Sequence, residues 1–313
     1  MTAEAYNTLE FDVCDGVAHV TLNRPEAGNA LNLELAQELL RAVMRCDEER
    51  KVRAVVLASA GRMFCVGGDL RSFTERGEQL SQHLKEVTTY LHAAISRLAR
   101  MDPPVVAAVH GAAAGAGLSL TCACDLVVAA ESARLSMAYS KAGLTPDGSS
   151  TYYLPRLVGF KRAMELTLTN RELSAQEAVE WGIVTRVVSD DDLYENATEL
   201  ASQLAAGATK ALGAANSCCT SAGPRRWRRR WSTRRKPSPT SRVQPTPAKV
   251  SPLSWRNVRL SSPASEEQGA RIASTRFITA PSSLLRCHHG KARGASLYDR
   301  RHARSRFERL AKG

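Results

Sequence analysis

Two glycine-rich segments about 45 residues apart carry the residue types that chemistry at a carbonyl group requires. Residues 63–70 read Met-Phe-Cys-Val-Gly-Gly-Asp-Leu, and residues 110–118 read His-Gly-Ala-Ala-Ala-Gly-Ala-Gly-Leu. Each segment follows an apolar, strand-like run, at 54–57 and at 105–109. Glycine lets the backbone turn sharply and leaves N–H groups pointing outward. Two such N–H groups that meet at one point form an oxyanion hole, which stabilises the charge that develops on a carbonyl oxygen.

These segments belong to a longer series of short motifs that resembles the crotonase (enoyl-CoA hydratase/isomerase) family. The motifs are, in chain order, Leu-Asn-Arg-Pro at 22–25, Asn-Ala-Leu-Asn at 29–32, Phe-Cys-Val-Gly-Gly-Asp at 64–69, the His-Gly to Gly segment at 110–117, Cys-Asp-Leu at 124–126, and Gly-Leu at 143–144 leading to Leu-Pro-Arg at 154–156. The resemblance covers about residues 8–213. It implies an α/β spiral of ββα turns followed by helices. It also implies an acyl-CoA thioester substrate, no further cofactor or metal, and assembly as a homotrimer or hexamer.

The resemblance also assigns expected roles to individual residues. The two oxyanion-hole donors map to the N–H groups of Gly68 and Ala116. The residues expected to contact CoA or the acyl group are Arg24, Cys65, Val66, Gly67, Gly68, Asp69, Leu70, Ala116 and Tyr139. Arg24 either pairs with a CoA phosphate or is a solvated surface residue.

The acid–base residues decide which reaction the site supports. Hydratases of the family place and protonate water with two glutamates, and the matching positions here are Ser119 and Tyr139. We therefore do not expect a hydratase of the usual mechanism. Asp147, in the segment Leu-Thr-Pro-Asp-Gly at 144–148, stands where isomerase branches carry a single catalytic Asp. The alternative for Asp147 is ordinary turn chemistry, because Pro-Asp-Gly is a strong turn signal.

Three functions follow from these residues. The first is an acyl-CoA isomerase that shifts a double bond, or opens a ring epoxide, with Asp147 as the acid/base. The second is a hydratase or hydrolase of non-standard mechanism, and the third is a non-catalytic acyl-CoA-binding protein. Tyr139 is interpreted either as a hydrogen-bond donor or as a packed aromatic, and Asp69 and Asp125 as structural.

The periodicity of hydrophobic residues along the chain predicts the helices and strands that position this site. The predicted strands are a hairpin at 8–12 and 17–22 and further strands at 53–58, 105–109, 125–130 and 134–137. The predicted helices lie after the N-cap Asn32, at 79–101, after the second glycine turn through Cys122, at 160–169, at 174–181 with a Ser174–Glu177 capping box, and at 189–208.

The charge of the chain divides at about residue 213. Residues 1–213 hold 20 Lys and Arg against 27 Asp and Glu, whereas residues 214–313 hold 23 against 4. The first part is expected to be one acyl-CoA domain. We expect no membrane span, because no apolar run is long enough, and no signal peptide. Cys122 and Cys124 are expected to be buried free thiols. Together these features lead us to expect a cytoplasmic protein.

Residues 214–313 are rich in Arg, Ser and Pro, and three interpretations fit this composition. One is a disordered basic tail. Another is a nucleic-acid module, because Trp227 and Trp231 interleave with arginines. The favoured hypothesis is a frameshift near Ala215–Asn216, since residues 217–257 can be encoded so that the neighbouring frame spells an amphipathic sequence resembling the family's C-terminus. The His288-His289 pair beside Cys287 is interpreted as incidental and not as a metal site.

Overall fold

A computed structural model describes residues 5–220 of the chain. The predicted nucleic-acid residues, the Cys287–His289 cluster and nearly all of the basic tail lie outside the described residues. The strands are β1 Leu9–Cys14, β2 Val17–Leu22, β3 Ala54–Ser59, β4 Val105–Val109, β5 Ala112–Ala114, β6 Leu126–Ala130, β7 Arg134–Ser136, β8 Leu173–Ser174 and β9 Arg186–Val188.

The helices alternate with the strands, which confirms the predicted α/β class. They are α1 Leu33–Glu48, α2 Leu70–Thr74, α3 Leu80–Leu98, α4 Ala116–Ala123, α5 Ser150–Val158, α6 Phe160–Thr169, α7 Ala175–Glu180, α8 Leu193–Ala206 and α9 Thr209–Thr220. Within residues 5–220, no helix combines the length and the apolar character needed to cross a bilayer.

Two sheets organise the chain. A six-stranded sheet has the order β1-β2-β3-β4-β6-β9 and is parallel except for the β1–β2 hairpin. A smaller sheet has the order β5-β7-β8. It is extended by single parallel bridges that join Cys65 to Ala113 and Leu31 to Gly68. Successive stretches of chain therefore cross from the large sheet to the small one and then enter a helix, which is the predicted ββα repeat.

The central strands of the large sheet are buried on both faces. Every residue of β3 is buried, and its β-branched run suits a central parallel strand. Alternate residues such as Ala54 and Val56 pack against the alanines of α8, while Val55 and Leu57 face the core that contains α1 and α3. Small side chains on both α8 and the strands allow this close approach.

Local capping signals have the predicted roles. The Asn32 side chain accepts a hydrogen bond from the N–H of Leu35 and begins α1. Ser174 and Glu177 form the predicted capping box of α7. Cys122 is buried, Cys124 is half-buried, and both are free thiols, as expected.

Three helices are not predicted by the sequence patterns: the short α2, α5 and α9. Helix α5 contains Pro155, which normally ends a helix because it removes a backbone donor. Helix α9 crosses the expected boundary at residue 213 and continues to Thr220. There the Asn216 side chain donates to Asp125 Oδ1 at 2.6 Å, and the Tyr152 hydroxyl donates to the Thr220 carbonyl at 3.1 Å.

Gly117 provides a test of how closely α4 packs on the first glycine turn. A Cβ atom at Gly117 would lie 2.1 Å from the carbonyl oxygen of Cys65. Gly117→Ala should therefore lower the free energy of unfolding by about 2 kcal/mol, although alanine is the better helix former. The measurement is urea denaturation. The matched control is Gly207→Ala, where the nearest atom is 3.2 Å away, and equal effects of the two substitutions would contradict this packing.

Candidate active site

The two glycine-rich turns touch each other through their backbones. Gly67 has φ +106°, a conformation that L side chains rarely adopt, and a Cβ atom there would lie 3.1 Å from the carbonyl oxygen of Ala114. The parallel bridge between Cys65 and Ala113 sets the register of the two segments. The turns are thus held at one place by backbone pairing, with no bulky side chain between them.

Two backbone N–H groups next to this contact belong to residues that line one cavity. Gly68 and Ala116 both line it. Among residues 5–220, neither N–H donates a hydrogen bond to a backbone or side-chain acceptor. Ala116 is the first residue of α4, so the helix dipole adds positive potential there. Both predicted oxyanion-hole donors are therefore available to a ligand oxygen.

The cavity itself has a volume of about 420 Å³ and is mainly apolar. Helix α3, the segment around α2 and residues 138–147 supply most of its wall. The apolar side chains that line it are Leu31, Val66, Leu70, Phe73, Leu84, Val87, Leu91 and Leu144. Its polar side chains are Thr88, Tyr139, Lys141, Thr145 and Asp147. Such a pocket suits an acyl group whose polar end meets the N–H pair.

Asp147 reaches this cavity with its carboxylate. Oδ1 accepts a hydrogen bond from the Tyr139 hydroxyl at 2.8 Å, and Oδ2 lies 3.1 Å from Nε2 of His92. The main chain of Asp147 is also part of a turn, because its carbonyl accepts from the hydroxyl of Ser150 at 2.7 Å. The two interpretations of Asp147 are therefore compatible: the backbone makes the turn and the side chain faces the pocket.

His92 on α3 is a site residue that sequence reasoning missed. Its hydrogen bond with the Asp147 carboxylate raises the pKa of His92, and partial burial opposes this effect. The Gly148 N–H donates to the same Nε2 atom at 3.2 Å when that nitrogen carries no proton. When Nε2 is protonated it donates to Asp147 instead, and the raised pKa of His92 favours that state. No sequence signal links these residues, which are 55 positions apart.

Tyr139 is both a packed aromatic and a hydrogen-bond donor. It is 7% exposed, and its hydroxyl lies 2.8 Å from Ser119 Oγ as well as from Asp147. Burial raises the pKa of Tyr139, and the nearby Asp147 charge raises it further. Tyr139 therefore remains neutral and keeps a proton to donate.

Three of the expected CoA contacts lie outside the cavity wall. Arg24 forms an ion pair with Asp69 at 3.0 Å and also donates to the Ala30 carbonyl, and Asp69 caps α2 by accepting from the Ser72 N–H. Cys65 is fully buried, and burial raises the pKa of its thiol to about 12. A CoA phosphate at Arg24 would have to compete with Asp69, so this contact stays a prediction.

Asp125 has the structural contacts expected of it. Its Oδ2 accepts from the Val105 N–H at 2.7 Å and its Oδ1 from Asn216. Burial raises the pKa of Asp125. Within the described residues, no cluster of His, Cys, Asp and Glu is suited to hold a metal ion.

Comparison with known proteins shows the family of this chain. Residues 12–225 match the family model described as enoyl-CoA hydratase/isomerase. The chain is 39% identical to 4-chlorobenzoyl coenzyme A dehalogenase-2 of Arthrobacter sp over 214 residues. This alignment covers 68% of this chain and 78% of the dehalogenase. It is 41% identical over 200 residues to 1,2-epoxyphenylacetyl-CoA isomerase of Escherichia coli K12, covering 63% and 76%.

Solved structures show the same fold. An enoyl-CoA hydratase from Polaromonas sp. JS666 superposes with a TM-score of 0.68 at 32% identity, covering 72% of this chain and 88% of that one. The expected spiral of ββα turns is thereby confirmed.

Proposed function

Because the chain belongs to the enoyl-CoA hydratase/isomerase family, we propose that it is an acyl-CoA isomerase with Asp147 as its single acid/base. One observation carries the proposal: the Asp147 carboxylate shares an apolar cavity with the unpaired N–H groups of Gly68 and Ala116. The similarity to 1,2-epoxyphenylacetyl-CoA isomerase supports it, and opening of a ring epoxide is the variant reaction that this relative suggests.

The proposed reaction begins when the two N–H groups bind the thioester oxygen. Asp147 removes a proton from the acyl chain, and the electrons move into an enolate or dienolate. The N–H pair stabilises the negative oxygen by several kcal/mol, on the order of 3 kcal/mol for each donor. Asp147 then returns the proton at a different carbon, which moves the double bond. One carboxylate suffices because the enolate carries the charge between the two steps.

Tyr139 and His92 give this carboxylate a fixed orientation. Each binds a different oxygen of Asp147, so rotation of the carboxylate would break one hydrogen bond or both. A hydrogen bond to a charged group contributes about 1.5–3 kcal/mol. The site thus holds its base in place before substrate binds.

Asp147→Asn tests the assignment of the base. The substitution keeps the shape of the side chain and removes its basicity, so kcat for conversion of a 3-enoyl-CoA to the conjugated 2-enoyl-CoA should fall by about 10³-fold. The product is followed by its ultraviolet absorbance. Asp191→Asn is the matched control, because Asp191 is exposed and lies outside the cavity. Undiminished activity of Asp147→Asn would remove Asp147 from the mechanism.

A second candidate is hydrolytic removal of halide from an aromatic acyl-CoA. The contact between His92 and Asp147 favours it, because an isomerase needs no second base whereas this reaction does. In this scheme the Asp147 carboxylate attacks the ring carbon and halide leaves. The resulting ester carries no negative charge, so His92 releases its proton to solvent and can then deprotonate the water that hydrolyses the ester. The similarity to the Arthrobacter dehalogenase supports this alternative.

Isotope labelling separates the two candidates. If Asp147 is the nucleophile, 4-chlorobenzoyl-CoA should release chloride, and a single turnover in H₂¹⁸O should leave product oxygen unlabelled because it comes from the carboxylate. We predict no chloride release and turnover only of the enoyl substrate.

Release of CoA thiol or hydration of crotonyl-CoA would indicate a non-standard hydrolase or hydratase. Tight acyl-CoA binding without turnover would indicate a binding protein.

A second proposal concerns both the oligomeric assembly of the protein and the sequence of its C-terminal segment. Phe160, Met164 and Leu168 recur every four residues on α6 and are 66%, 37% and 68% exposed, so this face is available for burial. We propose that it is covered in a cytoplasmic trimer or hexamer whose C-terminal segment is encoded in the neighbouring frame beyond Ala215.

Sequencing the gene across codons 205–260 tests the frame. A gained or lost base is expected, and the corrected chain should sediment as a trimer or hexamer, whereas the chain as written should not. An unchanged gene sequence together with a stable trimer of the chain as written would refute this account of the C-terminus.

A further inference from the structure

Ser119 is a buried hydroxyl at the back of the site, behind Tyr139. It lies on α4 and is 0% exposed. Its Oγ atom lies 2.8 Å from the Tyr139 hydroxyl and 3.2 Å from the carbonyl oxygens of both Gly115 and Asp147. It does not line the cavity, so it can act on a substrate only through another residue.

The number of protons limits how these groups can be paired. Tyr139 has one hydroxyl proton, and two acceptors, Asp147 Oδ1 and Ser119 Oγ, each lie 2.8 Å from it. Ser119 also has one proton, which can go to Tyr139 or to a carbonyl. A charged acceptor forms the stronger hydrogen bond, so the Tyr139 proton is best placed on Asp147. The Tyr139 oxygen can then accept the proton of Ser119, because it lies closer to Ser119 Oγ than either carbonyl oxygen does.

We infer that Ser119 is a positioning residue: its hydroxyl donates to Tyr139 and thereby commits the Tyr139 proton to Oδ1 of Asp147. The two hydrogen bonds run in one direction, from Ser119 through Tyr139 to the carboxylate, and each strengthens the next. The inference rests on the proposed role of Asp147, but the arrangement of hydrogen bonds can be tested without turnover.

His92 provides that independent readout, since the Asp147 carboxylate raises its pKa. In the proposed arrangement, Ser119→Ala makes Tyr139 a weaker hydrogen-bond donor to Asp147. The Asp147 carboxylate then keeps more of its negative charge, which stabilises protonated His92 and raises the pKa of His92. In the opposite arrangement, with Tyr139 donating to Ser119, the same substitution frees the Tyr139 proton for Asp147 and lowers the pKa of His92. The sign of the shift therefore distinguishes the two arrangements.

The experiment is NMR titration of the full chain labelled with ¹³C at histidine Cε1. Ser119→Ala should raise the pKa of His92, Tyr139→Phe should raise it further, and Ser119→Ala should add nothing in the Tyr139→Phe background. Thr121→Val is the matched control, because Thr121 is equally buried on α4 and its hydroxyl bonds only the Gly117 carbonyl. Ser119→Cys, which keeps the volume and donates weakly, should shift the pKa in the same direction.

Kinetics give the second readout. With a 3-enoyl-CoA, Ser119→Ala should lower kcat about fivefold, the equivalent of one neutral hydrogen bond, and leave KM unchanged. An unchanged or lowered pKa of His92 in Ser119→Ala, or a full additional effect in the Tyr139→Phe background, would overturn the inference. If the unsubstituted protein fails to isomerise the substrate while the His92 shifts follow the expected pattern, the proposed function fails and the inference stands.

Discussion

The close backbone contact between the two glycine turns is the constraint on which the rest of the site depends. A Cβ atom at Gly67 would press on the Ala114 carbonyl, and one at Gly117 would overlap the Cys65 carbonyl. Without side chains at these positions, the chain can bring the N–H groups of Gly68 and Ala116 to one cavity. The ββα repeat makes this possible, because each turn delivers the next segment to a neighbouring position of the small sheet.

The proposed chemistry depends on one carboxylate and its surroundings. Asp147 is placed by a turn that other elements complete, since Tyr139 follows β7 and His92 lies on α3. The cavity wall is apolar near the N–H pair, which strengthens electrostatic interactions within it. An oxyanion binding site and a preoriented base in a mainly apolar pocket are what the proposed proton transfer next to a thioester requires. In the second candidate, His92 would have to lose its proton and its contact with Asp147 before it could activate water.

Much of this could be predicted from sequence because the signals are local. The Asp15-Gly16 hairpin, the Asn32 cap, the buried strands and the Ser174–Glu177 box each depend on neighbouring residues, and all are observed. Helix α5 was not predicted because Pro155 contradicts the helical pattern, and packing of α5 against the core overrides that preference. The contact of His92 with Asp147 and the ion pair of Arg24 with Asp69 join residues 55 and 45 positions apart, and no pattern along the chain encodes such pairs.

The central claim is that the two turns bind the thioester oxygen while Asp147 faces the acyl carbons. A crystal structure of the protein with a non-isomerisable acyl-CoA, such as a saturated chain, tests it most directly. The account predicts the thioester oxygen at about 2.7–3.1 Å from the nitrogen atoms of both Gly68 and Ala116, with the Asp147 carboxylate beside the acyl chain. A thioester oxygen bound away from both nitrogen atoms, or an acyl chain outside the cavity that Asp147 lines, would contradict it.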